Sequence, residues 1–262
     1  MVKVNSADGV SIFYEEFGGG EGPAAVLVHG ITESSATWGP ITGLLAESRR
    51  VVTLDLRGHG QSGMADRYDL EAMAGDVAAV CADAGLEAPH LVGHSLGGAV
   101  VSAVASVMPV SSVVNVDQML SLGSFKDQLM PVEPMLRDPA TFPAVIEALF
   151  AQLAGDAIDP DVMAAVNSAR RPVQEVVLGV WELIFTMSAS EIDAVVEGAL
   201  AGFAGRDVPY LSLFGADPGP DYEGWLRRYI DGAVVEVWPD LGHYPHLVYP
   251  HRFVERVESF WS

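Results

Sequence analysis

The sequence has little cysteine and little positive charge. A single cysteine occurs in 262 residues, which excludes internal disulfides and any metal site built from several thiolates. Only 14 lysines and arginines stand against 35 aspartates and glutamates, giving a formal net charge of −21. Such a surface repels phosphate backbones, so we expect no nucleic acid partner. The amino-terminal segment lacks the apolar stretch of an export signal, which favours a cytoplasmic protein.

Charged side chains are absent from one segment, residues 88–116, which is long enough to cross a bilayer. Two prolines and a Gly-His-Ser triplet interrupt this segment, and its hydrophobic period changes partway. We therefore interpret it as two buried strands and a buried helix, and we expect no membrane partner. Half of the residues are hydrophobic, enough for a sizeable core in a chain of this length.

Short apolar runs alternate with helical patterns over much of the chain. The segments with strand patterns are 11–17, 25–28, 51–54, 91–92, 113–116, 210–214 and 234–237. Apolar residues at helical spacing predict helices over 70–84 and 96–107, and a last helix that begins at Pro250. This alternation predicts an α/β fold, a mostly parallel sheet with helices on both faces.

The alternation stops after residue 118. The following segment has helical patterns, scattered prolines and no convincing strand, and it holds five of the nine methionines. We therefore expect residues 119–204 to form a helical cap that lies over the end of the sheet. The core would then consist of residues 1–118 and 205–262.

The strongest chemical signal is the segment 91–98, with the sequence Leu-Val-Gly-His-Ser-Leu-Gly-Gly. It fits G-x-S-x-G and lies between a predicted strand and a predicted helix, as this motif requires. Side chains next to Ser95 would clash in so sharp a turn, which explains the glycines at positions 93 and 97. The serine would stand at the start of a helix, where N–H groups and the helix dipole favour an oxyanion.

Three further segments agree with this motif. Residues 29–32 (His-Gly-Ile-Thr) follow the first buried strand, and residues 55–62 (Asp-Leu-Arg-Gly-His-Gly-Gln-Ser) follow the second. Residues 241–243 (Leu-Gly-His) lie near the carboxyl terminus. Together with 91–98, these segments resemble the α/β-hydrolase superfamily over nearly the whole chain. The resemblance implies a serine nucleophile, a carboxylate and a late histidine, in that chain order.

The resemblance also assigns most of the site residues. Ser95 would be the nucleophile and His243 the base, with His246 as the alternative base. The backbone N–H groups of Ile31 and Leu96 would bind the oxyanion. Two such donors lower the activation barrier by several kcal/mol.

The carboxylate has two candidates. Most members of the superfamily carry an Asp after the strand that corresponds to 210–214, and here Asp217 stands one residue earlier than their pattern. Some members carry it after the preceding strand, where this chain has Asp117. Because catalytic groups collect at the carboxyl ends of strands in open α/β sheets, we favour Asp117 and keep Asp217 as the alternative.

The function that these residues imply is a serine hydrolase with an acyl-serine intermediate. The apolar, Met-rich cap suggests a small to medium, uncharged hydrophobic ester or lactone, with Trp38 and Met119 as candidate contacts. Carbon–carbon bond hydrolases and cofactor-free haloperoxidases share these residues and stay open, as does a ligand receptor or signalling hydrolase with slow turnover. No metal-ligand spacing or phosphate loop occurs, so we expect neither metal nor cofactor. The oligomeric state is left open.

Overall fold

One mixed sheet forms the centre of the protein. The computed structural model describes residues 2–262, with Ser124 described by its backbone alone. The strands are β1 (Val2–Asn5), β2 (Ser11–Phe17), β3 (Ala25–Val28), β4 (Val51–Leu54), β5 (His90–His94), β6 (Ser112–Val116), β7 (Tyr210–Phe214) and β8 (Val234–Val237). Their order is β1-β2-β4-β3-β5-β6-β7-β8, with β2 antiparallel to both of its neighbours and the other pairs parallel. The predicted α/β fold is confirmed.

Helices follow most of the parallel strands. Those before β7 are α1 (Gly39–Leu45), α2 (Leu70–Asp83), α3 (Leu96–Val107), α4 (Gly123–Leu129), α5 (Glu133–Arg137), α6 (Phe142–Ala154), α7 (Pro160–Ala169), α8 (Gln174–Thr186) and α9 (Ala189–Leu200). Those after β7 are α10 (Tyr222–Leu226), α11 (Pro245–Val248) and α12 (Pro250–Trp261). Among the described residues, no helix is long and apolar enough to cross a membrane.

The core lies on both faces of the sheet, which is why the central strand β3 is apolar at every position. Along β3, Val26 and Val28 belong to a cluster that includes residues of α2 and α3. Ala25 and Leu27 belong to a second cluster, which includes residues of α1 and α12. The sequence of a strand covered on both faces is an unbroken apolar run, whereas a strand with one solvent-exposed face alternates apolar and polar residues.

The parallel strands bring three loops to one edge of the sheet. Val28 at the end of β3 pairs with Gly93 in β5, and His94 pairs with Val116 at the end of β6. The loops that follow these strands therefore start side by side, at the edge where α/β proteins gather their functional groups.

Six helices, α4 to α9, lie between β6 and β7, and we call them the helical insertion. Their apolar residues form a third cluster that also includes Ile31 and Leu96, which follow β3 and β5. The helical insertion therefore packs against the loops at the carboxyl edge of the sheet.

A few elements could not be predicted from the sequence. Strand β1 is mostly exposed and short, so it has no alternating apolar pattern to reveal it. Helices α1, α10 and α11 span 7, 5 and 4 residues, which is too short for a helical period to stand out.

A buried ion pair fastens the loop after β4 to helix α2. The Arg57 side chain is 2% exposed, and its Nε and Nη2 each donate to one oxygen of Asp76 at 2.7 Å. A third nitrogen, Nη1, donates to Asp8 at 2.8 Å. A buried charge is stable only beside an opposite charge, so removal of one partner leaves the other uncompensated and destabilises the fold.

We expect Arg57→Met to lower the free energy of unfolding by about 3–5 kcal/mol, since the buried Asp76 carboxylate would lose its partner. The urea unfolding midpoint measures this loss. Arg67→Met is the matched control, because Arg67 is largely exposed and pairs with Asp69 at the surface. Equal shifts of the midpoint in the two variants would contradict the prediction.

Candidate active site

Ser95 occupies a strained turn between β5 and α3. Its backbone has φ 51° and ψ −126°, a conformation that costs a non-glycine residue about 1–3 kcal/mol. Hydrogen bonds hold it there: its N–H donates to the Val116 carbonyl at 2.9 Å, and its carbonyl accepts from the Gly98 N–H at 2.7 Å. The side chain stays partly exposed at the start of α3, where the helix N-terminus favours negative charge.

The glycines beside Ser95 are required by close contacts between backbones. A Cβ atom on Gly93 would lie 2.1 Å from the carbonyl oxygen of Gly97. A Cβ atom on Gly97 would lie 2.1 Å from the carbonyl oxygen of Val28. The turn therefore closes only with glycine at both positions, as the sequence predicts.

Asp117 lies directly after β6 and contacts His243. Its Oδ2 is 2.6 Å from the Nδ1 of His243, and its Oδ1 accepts from the Gly215 N–H at 2.8 Å. Like Ser95, Asp117 has a positive φ, 54°, and its own N–H donates to the Leu213 carbonyl at 2.7 Å. Each carboxylate oxygen thus has a fixed partner, and the carboxylate is oriented towards one nitrogen of the ring.

Asp217, the alternative acid, lies elsewhere. Its side chain is exposed, and its Oδ1 accepts from the Gly219 N–H at 2.8 Å. The turn after β7 packs closely on the loop of His243, since a Cβ atom on Gly215 would lie 1.8 Å from the Gly242 carbonyl oxygen. The chain leaves this tight contact towards solvent, so the structure brings Asp117 and not Asp217 to His243.

His243 is held by its backbone as well as by its ring. Its N–H donates to the Leu153 carbonyl in the helical insertion at 3.0 Å, and its carbonyl lies 2.8 Å from the Nε2 of His94. Because the Asp117 carboxylate can only accept, the His243 Nδ1 carries the proton and Nε2 keeps a free lone pair. In the part of the chain that the structure describes, no hydrogen bond joins this ring to Ser95 Oγ, a contact that often tightens only when substrate binds.

His246, the alternative base, is fully buried. Its ring lies 4.9 Å from that of Trp38 and 4.7 Å from that of His94, between centroids. Burial, and then the charge of His94, lower the pKa of His246 well below its ordinary value, so the ring stays neutral. The structure therefore places His246 in the core and His243 at the carboxyl edge.

The loop after β3 presents the Ile31 N–H. His29 Nε2 accepts from the Leu56 N–H at 3.0 Å, so its Nδ1 carries the proton and donates to the Gly30 carbonyl at 2.7 Å. Burial lowers the pKa of His29, which keeps the ring neutral in this role. The carbonyl of Gly30 and the N–H of Ile31 belong to one trans peptide and point in opposite directions. His29 therefore turns the Ile31 N–H away from itself.

Ser95 lies close to this loop. A Cβ atom on Gly30 would be 3.2 Å from the Cβ of Ser95. Within residues 2–262, neither the Ile31 N–H nor the Leu96 N–H donates to another protein group. Both donors are thus available to a ligand oxygen at the start of α3.

Of the two predicted substrate contacts, Trp38 lies in the core. Its side chain is 0% exposed and packs with Ala25 and Leu27, below the carboxyl edge of the sheet. Met119 is half-buried, two residues after Asp117, and packs on the opposite face of the sheet. Ile31 and Leu96 pack in one cluster with apolar side chains of the helical insertion.

Sequence reasoning missed three polar residues beneath the site, namely Glu33, Arg170 and Tyr244. Glu33 is 2% exposed, and its carboxylate accepts from the Gly30 N–H at 3.1 Å and the Tyr244 hydroxyl at 2.8 Å. Burial would raise the pKa of Glu33, but the charge of His94, with Arg170 and Tyr244, holds it well below the usual range. An acid five residues after a buried strand is the one signal that the sequence offers, and it does not identify these partners.

Comparisons with known proteins agree with the fold and identify a family. The sequence model of a family described as "Alpha/beta hydrolase family" matches residues 25–256. A bifunctional esterase/perhydrolase of Acinetobacter calcoaceticus is 41% identical over 100 residues, which cover 37% of this chain and 36% of that protein. The structure of an esterase from Rhodococcus sp. ECU1013 has a TM-score of 0.74 and 27% identity, with 99% of this chain and 98% of that chain covered. The enol-lactonase from Burkholderia xenovorans LB400 shares the fold, with a TM-score of 0.68, 20% identity and 99% of both chains covered.

Proposed function

The chain belongs to the alpha/beta hydrolase family, and from its site geometry we propose that it is a serine hydrolase of uncharged hydrophobic esters or lactones. The observation that carries this proposal is the 2.6 Å contact between Asp117 Oδ2 and His243 Nδ1. That contact leaves the second ring nitrogen free to act as a base for a serine that is partly exposed at the start of a helix.

In the first half of the proposed reaction, Ser95 Oγ attacks the acyl carbon and gives its proton to the His243 Nε2. The Ile31 and Leu96 N–H groups stabilise the negative charge on the former carbonyl oxygen. The bond between the acyl carbon and the alkoxy oxygen then breaks. The leaving oxygen takes the proton from His243, and an acyl-Ser95 remains.

In the second half, water attacks the acyl carbon and gives a proton to His243. The bond between the acyl carbon and Ser95 Oγ breaks, and Oγ recovers its proton from the ring. Asp117 keeps the proton of the ring on Nδ1 and stabilises the imidazolium, without taking the proton itself. A carboxylic acid and an alcohol, or a hydroxy acid from a lactone, leave the site.

The surroundings of the two donors favour an apolar substrate. Ile31 and Leu96 pack in one cluster with side chains of the helical insertion, among them Val177, Trp181 and Phe185. An acyl group bound at the donors would lie against this cluster. The net charge of −21 weighs against anionic substrates, because it lowers their concentration near the surface.

The test combines turnover with covalent labelling. We expect repeated turnover of uncharged aryl and alkyl esters, and a single fluorophosphonate adduct that peptide mass spectrometry assigns to Ser95. Tight ligand binding without turnover or adduct would instead indicate a receptor. Cleavage of a carbon–carbon bond in preference to esters would contradict the proposed substrate class.

A further inference from the structure

A network of buried charges joins the helical insertion to the candidate site. Its centre is the carboxylate of Glu33, which lies in the loop after β3. Glu33 Oε1 accepts from the Tyr244 hydroxyl at 2.8 Å and lies 3.8 Å from the Nη2 of Arg170. Glu33 Oε2 accepts from the Gly30 N–H at 3.1 Å and lies 3.4 Å from the Nδ1 of His94. One carboxylate thus contacts the loop after β3 (residues 29–33, which we call the oxyanion loop), the turn of Ser95, the loop of His243 and the helical insertion.

His94 has acceptors on both sides of its ring. Its Nδ1 faces the Glu33 carboxylate, and its Nε2 lies 2.8 Å from the His243 carbonyl, which can only accept. Nε2 therefore donates to the His243 carbonyl, while Nδ1 stays turned towards the Glu33 carboxylate. The other titratable groups around it are the His29, His243 and His246 rings and the Tyr244 hydroxyl.

Arg170 supplies a positive charge to this network, and it comes from the helical insertion. It lies in the connection between α7 and α8, with 10% of its side chain exposed. Its guanidinium donates to the Tyr244 hydroxyl and lies over the Phe150 ring, 4.3 Å from the centroid. The next residue, Arg171, donates its backbone N–H to the Thr32 carbonyl at 2.9 Å.

We propose that Arg170 is a positioning residue, which holds the Glu33 carboxylate against the Gly30 N–H and thereby orients the Ile31 N–H of the oxyanion loop. This inference rests on the proposed function. It means that the oxyanion loop is complete only while the helical insertion is seated on the core.

The physical reason is the balance of charge at Glu33. With Arg170 in place, the carboxylate has four partners, the Arg170 and His94 side chains, the Tyr244 hydroxyl and the Gly30 N–H, and its position is fixed from four directions. Without Arg170, Oε1 keeps only the Tyr244 hydroxyl, the carboxylate is freer to turn, and the bond from Oε2 to the Gly30 N–H loosens. That bond holds the His29–Gly30 peptide, so the Gly30–Ile31 peptide, which begins at the Cα of Gly30, is less firmly placed, and a small misplacement of its N–H costs rate.

Arg170→Met tests this role, with Arg171→Met as the matched control. Both variants remove one positive charge, but the Arg171 side chain is exposed and reaches the Gly60 carbonyl only at 3.4 Å. We expect Arg170→Met to lower kcat for an uncharged ester by about tenfold to a hundredfold, with a much smaller change in KM, because the oxyanion forms only in the transition state. Arg171→Met should keep both constants near those of the wild type.

Two further measurements separate positioning from a general loss of structure. Arg170→Lys keeps a cation near Glu33 and should recover most of the lost kcat. The inhibition constant of a trifluoromethyl ketone, which forms an oxyanion on Ser95, should rise in proportion to the loss of kcat/KM across the variants. Binding of the product acid should change little.

Glu33→Gln completes a double-mutant cycle with Arg170→Met. If Arg170 acts through Glu33, the fold losses of the two single variants should not multiply in the double variant. Multiplying losses, an unchanged kcat in Arg170→Met, or equal losses in Arg171→Met would each overturn the inference. If Arg170→Met does not fold, kcat and KM of Arg170→Lys and Glu33→Gln test the inference instead: kcat near that of the wild type in Arg170→Lys and lowered in Glu33→Gln supports it, and an unchanged kcat in Glu33→Gln overturns it.

The wild type distinguishes this inference from the proposed function. Wild-type turnover that depends on Ser95 supports the hydrolase, whatever the Arg170 variants do. A wild type that forms no adduct at Ser95 and turns over no ester would overturn both.

Discussion

Ser95→Ala is expected to lower kcat for uncharged esters by about 10⁶-fold, since loss of a serine nucleophile lowers kcat about as much as loss of the serine, the histidine and the carboxylate together. The methyl group cannot form the acyl intermediate, and His243 then has no hydroxyl to deprotonate. The substitution removes one oxygen at a partly exposed position, so the fold should be retained. Initial rates and fluorophosphonate labelling measure the loss.

Ser168→Ala is the control for this variant. Ser168 is exposed on α7, and its hydroxyl donates only to the Ala165 carbonyl one turn earlier. Wild-type rates and labelling are expected in this variant. Ester turnover that survives in folded Ser95→Ala, or an adduct on another residue, would show that the exposed turn after β5 is not the reacting centre.

Much of the fold could be predicted because its signals are local. The buried runs 25–28 and 51–54 are strands β3 and β4 with the predicted bounds. The helix predicted over 70–84 is α2, Leu70–Asp83, and Gly85 with φ 66° lies just beyond its end. Each of these signals depends on a few consecutive residues and on burial against whatever covers the sheet.

The contacts of the candidate site are harder to predict because they join distant parts of the chain. Asp117 and Asp217 each follow a buried strand, and sequence spacing alone does not tell which carboxylate meets the ring of His243. The close approach of Gly215 to Gly242 directs Asp217 away, and that contact exists only once β7 and the loop after β8 are packed. The catalytic roles themselves stay predictions.

The network around Glu33 was beyond sequence reasoning for the same reason. Its members come from the loop after β3, the end of β5, the loop before α11 and the connection after α7. Nothing in the spacing of Glu33 and Arg170 indicates an ion pair, since 137 residues separate them. A buried carboxylate needs partners, but the sequence does not show that it is buried.

Asp117→Asn is expected to lower kcat by about 10⁴-fold, the cost of holding the base in the wrong tautomer. Oδ1 of residue 117 accepts from the Gly215 N–H at 2.8 Å, and this donor will keep an oxygen at that position. The amide nitrogen of Asn must then face the Nδ1 of His243 and donate to it. Nδ1 becomes the acceptor, the proton moves to Nε2, and the ring can no longer accept the proton of Ser95.

Asp217→Asn makes the same chemical change at the other predicted acid and serves as the control. Its side chain is exposed and contacts the Gly219 N–H, so kcat should stay within about twofold of the wild type. The comparison requires folded proteins, which the thermal unfolding midpoint checks for both variants. A large loss in Asp217→Asn with little loss in Asp117→Asn would mean that the loops rearrange when substrate binds and that the acid follows β7. Equal, small losses would mean that neither carboxylate orients the ring of His243.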